Sequence, residues 1–177
     1  MMSGFGRSHG PGVGSSSTHR NHGAGGASGA GGDHGRERIE DLLREPKPPP
    51  TYFAPNSRAV RASLLGTEAE TVARGLATVP ASQLRRFYAE VMALKRRAEL
   101  AGADDAEIQA QMTLLRAKAA YSWKRGKNYP GELVSFFNRH AFGVKTRDDF
   151  LRGFQPHFEA VIAFHKVFEN KNERGEG

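Results

Sequence analysis

The chain is 177 residues long, carries a formal charge of +7, and contains 21 glycines and no cysteine. One domain fits that length, and the glycine share is high enough that part of the chain is expected to stay unfolded, leaving about 110 to 120 ordered residues. Without cysteine there is no disulfide framework, thiolate metal site or Cys nucleophile, and no apolar run approaches the roughly 20 residues that cross a bilayer.

The opening residues also lack the apolar stretch of a signal peptide, so a soluble, cytoplasmic protein with no membrane partner is expected. The charge is uneven. Residues 1–56 hold six basic and five acidic side chains, net +1, whereas residues 57–177 hold twenty and fourteen, net +6. A basic folded surface suits a phosphate-bearing partner, because each neutralised phosphate releases counterions; it also suits nothing more than water.

Residues 1–35 are Gly, Ser, Ala and His with hardly any large apolar side chain, and cannot bury enough surface to offset chain entropy. A disordered extension is expected there. His9, His19, His22 and His34 are irregularly spaced on that backbone, which lacks the fixed geometry of a metal site, so adventitious affinity is the better reading. Within 36–44, Ile39, Leu42 and Leu43 share one side of two potential helical turns, either a docking peptide for a partner or a transient helix. Pro46, Pro48, Pro49 and Pro50 then predict an extended linker ending near residue 56.

The folded domain is expected over 57–170. Thr67-Glu68-Ala69-Glu70 reads as a capping box opening a helix to about Leu76. Pro80 precedes a longer helix that Ser82 is expected to cap. Leu84, Phe87, Tyr88, Val91, Leu94 and Ala98 fall three and four apart on one stripe, leaving Arg85, Arg86, Arg96 and Arg97 on the far side. Ala101-Gly102 breaks this helix. Asp104 or Asp105 caps the next, where Ile108, Gln111, Met112, Leu115 and Ala119 form the stripe and Lys118, Tyr121 and Arg125 a row on its edge. The pair is a helical hairpin with a basic outer surface.

A turn-rich loop, Gly126 to Gly131, leads into a helix over about Gly131 to His140 that Gly143 ends. Thr146-Arg147-Asp148-Asp149 is a second capping box, opening a helix with Phe150, Leu151 and Phe154. Pro156 must kink that helix or begin a new one. Phe158, Val161, Ile162, His165 and Phe168 make the last stripe, and 171–177 is expected as a flexible tail. No window alternates like a half-buried strand. The fold class is therefore all-α: a compact bundle of five or six helices with a disordered N-terminal extension and an aromatic core from the C-terminal half.

Motifs for chemistry are sparse. There is no nucleophile elbow, no phosphate-binding Gly-rich loop, no dinucleotide fingerprint and no His-Glu-x-x-His, so neither an enzyme nor a cofactor is expected. His140 and His165 lie on apolar stripes, where core histidines are the default, and the Asp104-Asp105 and Asp148-Asp149 pairs sit at helix starts, where capping explains them. Lys118 to Tyr129 interleaves Lys118, Tyr121, Lys124, Arg125 and Lys127 with Trp123 and Tyr129, the mixture that grips phosphates and stacks on bases. Trp123 equally suits the end of its helix's apolar stripe. With no helix-turn-helix, recognition of backbone and shape is expected rather than of sequence.

The order of these pieces resembles a known family. Ser82-Gln83-Leu84-Arg85-Arg86-Phe87-Tyr88, then Leu114-Leu115-Arg116-Ala117-Lys118-Ala119-Ala120-Tyr121 with Arg125, then Phe158-Glu159-Ala160-Val161-Ile162-Ala163-Phe164-His165-Lys166 are similar to the small subunit of the type III-A CRISPR interference complex, the Csm complex, over about residues 78–170. The resemblance implies a non-catalytic helical bundle. Several copies stack beside the backbone subunits and help form the groove where guide RNA and target RNA pair, in a complex that also holds a large signalling subunit. It implies RNA contact by Arg85 and Arg86, by Lys118 and Arg125, and by Lys166, with Lys95, Arg96 and Lys127 as outlying members; Tyr121, on the row with Lys118 and Arg125, is a candidate from its stacking chemistry. Arg85 and Lys166 can equally serve salt bridges between subunits. The alternative is a stand-alone helical protein, binding nucleic acid or docking on an acidic partner.

Overall fold

The computed structural model describes residues 38–126 and 130–169. The glycine-rich extension, its histidines and the C-terminal tail from 170 lie outside them. Single helical turns come first, α1 (Ile39–Leu42) and α2 (Ala62–Leu65), followed by α3 (Thr67–Gly75), α4 (Ala81–Leu100), α5 (Asp105–Arg125) and α6 (Gly131–Gly143). A π-helical stretch, Asp149–Phe154, runs into α7 (Gln155–Phe168). Among the described residues there is no strand, only an isolated antiparallel bridge between Phe53 and Val60. The all-α expectation holds.

The stripes bury as their spacing requires. Leu84, Phe87, Val91, Leu94 and Ala98 face inward from α4, with Tyr88 partly buried, and Ile108, Met112, Leu115 and Ala119 face inward from α5. α3 packs on α7, α5 on α6, and α4 on both α5 and α7. The centre is aromatic: Phe137 of α6 stacks on Phe87 at 4.7 Å and meets Phe158 edge-on at 5.4 Å, and Phe154 stacks on Phe158 at 6.0 Å. Such offset and edge contacts add stability beyond the area they bury.

Two helix starts differ in detail from the expectation. Gly66 closes α2 and precedes α3, so Thr67 is already helical and caps nothing, and Glu70, the carboxylate of the expected box, takes Arg74 instead. Pro80 occupies the N-cap of α4, which leaves Ser82 exposed inside the first turn with no capping bond. Asp104 does cap α5, accepting from the Glu107 amide at 2.8 Å. Gly102, with φ 68°, takes the left-handed conformation that ends α4 and turns the chain. Thr146 and Asp149 form the expected reciprocal box: the Asp149 amide donates to Thr146 Oγ1 at 3.1 Å and the Thr146 amide to Asp149 Oδ2 at 2.9 Å. Asp148 caps nothing; it takes Arg58 at 2.8 Å and Arg152 at 3.3 Å. Pro156 stands in the first turn of α7, where a missing amide leaves no bond of that helix unmade.

The Pro-rich segment is not a free linker. Leu42 and Tyr52 are buried, as is Pro50. Arg116 donates to the Leu43 carbonyl at 3.0 Å and Asn138 to that of Arg44 at 2.7 Å, so α5 and α6 hold the strap by its backbone. Glycines make room for it. A Cβ on Gly143 would lie 2.9 Å from Pro50 Cδ, and one on Gly153 would lie 2.6 Å from Tyr52 Cβ.

Gly153→Ala is therefore expected to destabilise the fold by about 1–3 kcal/mol, the range for overpacking a filled core, against about 1 kcal/mol for Asp104→Ala, which removes a surface cap. Urea unfolding of both variants checks the order; an unaffected Gly153→Ala would mean that Tyr52 is not held there.

Candidate nucleic-acid interface

Cross-links between α4 and α5 fix the hairpin's register. Gln83 donates to Ser122 at 3.1 Å, Lys118 Nζ sits 2.5 Å from Glu90, and Arg97 lies 3.6 Å from Glu107. Positions rising along α4 meet positions falling along α5, as antiparallel packing requires. The start of α4 thus stands beside the end of α5. α7 also runs antiparallel to α4, with Tyr88 against Phe158 and Gln155 against Met92. His165 fastens its C-terminal end, donating from Nε2 to the carbonyls of Leu76 and Val79 at 3.0 and 3.1 Å, just before α4 begins.

The same end of the bundle therefore gathers Arg85, Arg86, Tyr121, Arg125 and Lys166, all exposed. Arg85, Arg86 and Lys166 have no ion-pair partner among the described residues. Arg125 lies along Tyr121, 5.5 Å from its ring and 3.2 Å from its hydroxyl, so a guanidinium and a 61 % exposed phenol ring face solvent together. That couple can meet a phosphate with one member and a sugar or base with the other. The N-terminus of α4 carries no side-chain cap, which leaves amides of its first turn toward an anion.

The remaining sequence-derived candidates are not brought to that end in the same state. Lys118 points at the hairpin seam and is held by Glu90. Lys95, half-buried, and exposed Arg96 lie about 15 Å further along α4 at 1.5 Å per residue. Lys127 and Tyr129 lie outside the described residues. Trp123 is half-buried. Several other cations are spent within the fold. Arg61 binds Glu68 through two bonds of 2.6 and 3.1 Å, and the guanidinium of Arg74 covers the Phe168 ring at 4.1 Å. Hydrogen bonding by Arg61 holds the Glu68 carboxyl below its usual range.

A second polar group was not legible in the sequence. Tyr52, His140 and His157 meet in the core, with Tyr52 Oη 2.9 Å from His140 Nδ1 and the two imidazole centres 5.1 Å apart. His157 Nδ1 lies 2.6 Å from the Leu64 carbonyl. Burial, reinforced by His157 and Arg139, pushes His140 well below the usual histidine range, and burial also lowers His157 against the raising effect of Leu64 and Glu68. Burial pushes the Tyr52 phenol up, keeping it protonated. The Thr51-Tyr52-Phe53 run after the prolines was the available signal. Among the described residues no group of three His, Cys, Asp or Glu side chains is placed to hold a metal, and no helix is long and apolar enough to cross a membrane.

A family model described as Csm2 Type III-A matches residues 59–171. No curated protein and no solved structure matches the chain.

The histidine pair gives the fold an acid limit. His140 and His157 bind protons more weakly folded than unfolded, so unfolding takes up protons and stability falls as pH drops below the unfolded value of 6.5. Melting curves from pH 8 to pH 5 are expected to show a falling midpoint over the acid half of that window. A flat profile would mean that neither ring is buried in neutral form.

Proposed function

The chain belongs to the Csm2 Type III-A family, the small subunits of type III-A CRISPR effector complexes, and on that premise we propose that it lines the groove in which guide RNA pairs with target RNA. The observation that carries this reading is the end of the bundle where Arg85, Arg86, Tyr121, Arg125 and Lys166 are exposed together. Base pairing supplies sequence specificity in an RNA-guided complex, so the protein's part is charge and shape along the strand backbone. Exposed guanidinium groups beside an aromatic ring supply both. In this reading the subunit has no catalytic role, takes no cofactor, works in the cytoplasm, and touches further copies of itself and the backbone and signalling subunits. Lys118 is a secondary contact, because Glu90 must release it first.

The test uses the complex captured from its native cell through a tag on this chain. A guide RNA of uniform length is expected to accompany it, together with the other subunits. Arg85→Gln, Arg86→Gln and Arg125→Gln combined are expected to lower the salt dependence of target-RNA binding by roughly two units of slope, at about 0.7 per phosphate contact on a single strand. Lys118→Gln is expected to change it less than Arg125→Gln does. Capture without guide-length RNA, or an unchanged slope in the triple variant, would count against the groove and in favour of a stand-alone adaptor.

A further inference from the structure

A cavity of about 440 Å³ opens between α3 and α6, and none of its lining residues belongs to the cationic end. Leu64, Val72 and Phe136 give it apolar walls, Thr71 and Ser135 stand at its rim, and His140 and His157 line its floor. Its size is that of a small-ligand site. Both histidines are almost completely buried, 3 % and 2 % exposed, yet each uses only one ring nitrogen on a described partner.

Their tautomers follow from those partners. The Leu64 carbonyl can only accept, so His157 carries its proton on Nδ1 and presents a bare Nε2. Tyr52 has one described partner for its hydroxyl, His140 Nδ1, and a buried hydroxyl hydrogen left unpaired is costly. Tyr52 therefore donates, and the proton of His140 sits on Nε2. The rings are not hydrogen-bonded to each other. The two rings, with centres 5.1 Å apart, thus bring one donor and one acceptor to the lining of an apolar slot.

Charge narrows what can fill it. Neither imidazole is cationic at neutral pH, so the floor does not attract an anion. Glu68 is already satisfied by Arg61 through bonds of 2.6 and 3.1 Å, and the exposed rim pair Glu132 and Arg139 is of opposite sign. A metal ion would need a third ligand and a lone pair that His140 Nε2 does not have. We propose that this cavity is a binding site for a neutral, planar ligand of the primary-amide or aza-aromatic class, whose acceptor takes the His140 Nε2 hydrogen and whose donor meets His157 Nε2. The inference does not rest on the groove reading.

Saturation-transfer NMR on the full chain tests it, with nicotinamide and cytosine as probes and toluene as a ring of similar breadth without hydrogen-bonding groups. At least one polar probe is expected to take up saturation, and toluene roughly tenfold less, because a floor built to hydrogen-bond rejects a ring that leaves it unpaired. Thr71→Trp and Ser135→Trp change exposed rim positions and plug the mouth without touching the core, and each is expected to remove the signal while melting near the wild-type temperature. His157→Phe keeps a ring but loses the acceptor and is expected to abolish discrimination against toluene. The proposal is overturned if neither polar probe is saturated, if toluene matches them in the wild-type chain, or if both plugged variants keep the wild-type signal.

Discussion

A buried imidazole is costly where its polar edge goes unmet, and each buried histidine of this bundle meets one edge across a long stretch of chain. His165 reaches from α7 to the carbonyls before α4, His157 to the end of α2, and His140 of α6 to Tyr52 on the strap. Apolar packing alone tolerates sliding, since one methyl surface resembles another; a hydrogen bond of about 3 Å in a dry core does not. Each histidine therefore fixes the position of a segment whose own residues would not fix it. The phenylalanine layer supplies the driving force, and the histidines decide which arrangement of it is reached.

One of those clasps reaches the cationic end directly. His165 brings the C-terminus of α7 to the start of α4, while Gln83 with Ser122 brings the end of α5 there too. The cationic end is assembled from three helices by contacts that are not themselves cationic. The ion pairs along the hairpin, Lys118 with Glu90 and Arg97 with Glu107, are half-exposed and contribute little to stability. Their effect is on register and on which cations remain available.

Periodicity carried most of the architecture. The stripes of α4 and α5 are read directly from residues three and four apart, and the break at Gly102 from the one residue type suited to a left-handed turn. Asp104 and the Thr146–Asp149 box were legible because a cap is a local transaction. Thr67 was not, since its helix start depends on Gly66 ending another turn, while Arg74 takes the Glu70 carboxylate of the box. The strap was misjudged for a similar reason. A Pro-rich segment has no periodicity to read, and its burial depends on Gly143 and Gly153, some ninety residues away, leaving space for Pro50 and Tyr52. Among the candidate contact residues, sequence could place Lys118 on the outer edge of α5 but not see Glu90 across the seam. The buried floor of histidines is the extreme case, because nothing local to His140 or His157 says that they will meet.

On the groove reading proposed above, the distinction between paired and unpaired cations bears on how a small bundle would serve a long duplex. A guanidinium already matched to a carboxylate must give up that bond before it can meet a phosphate, so the exchange gains little, whereas Arg85 and Arg86 exchange only water. Few such contacts give one subunit a weak, salt-sensitive hold on a strand. In the proposed array the same contacts would act at high effective concentration, and weak holds would combine without any new interaction. What such a subunit needs is rigidity, so that its unpaired charges stay in step with the backbone they follow. A core of interlocked rings, clasped by buried histidines and held to register by a cross-linked hairpin, meets that need.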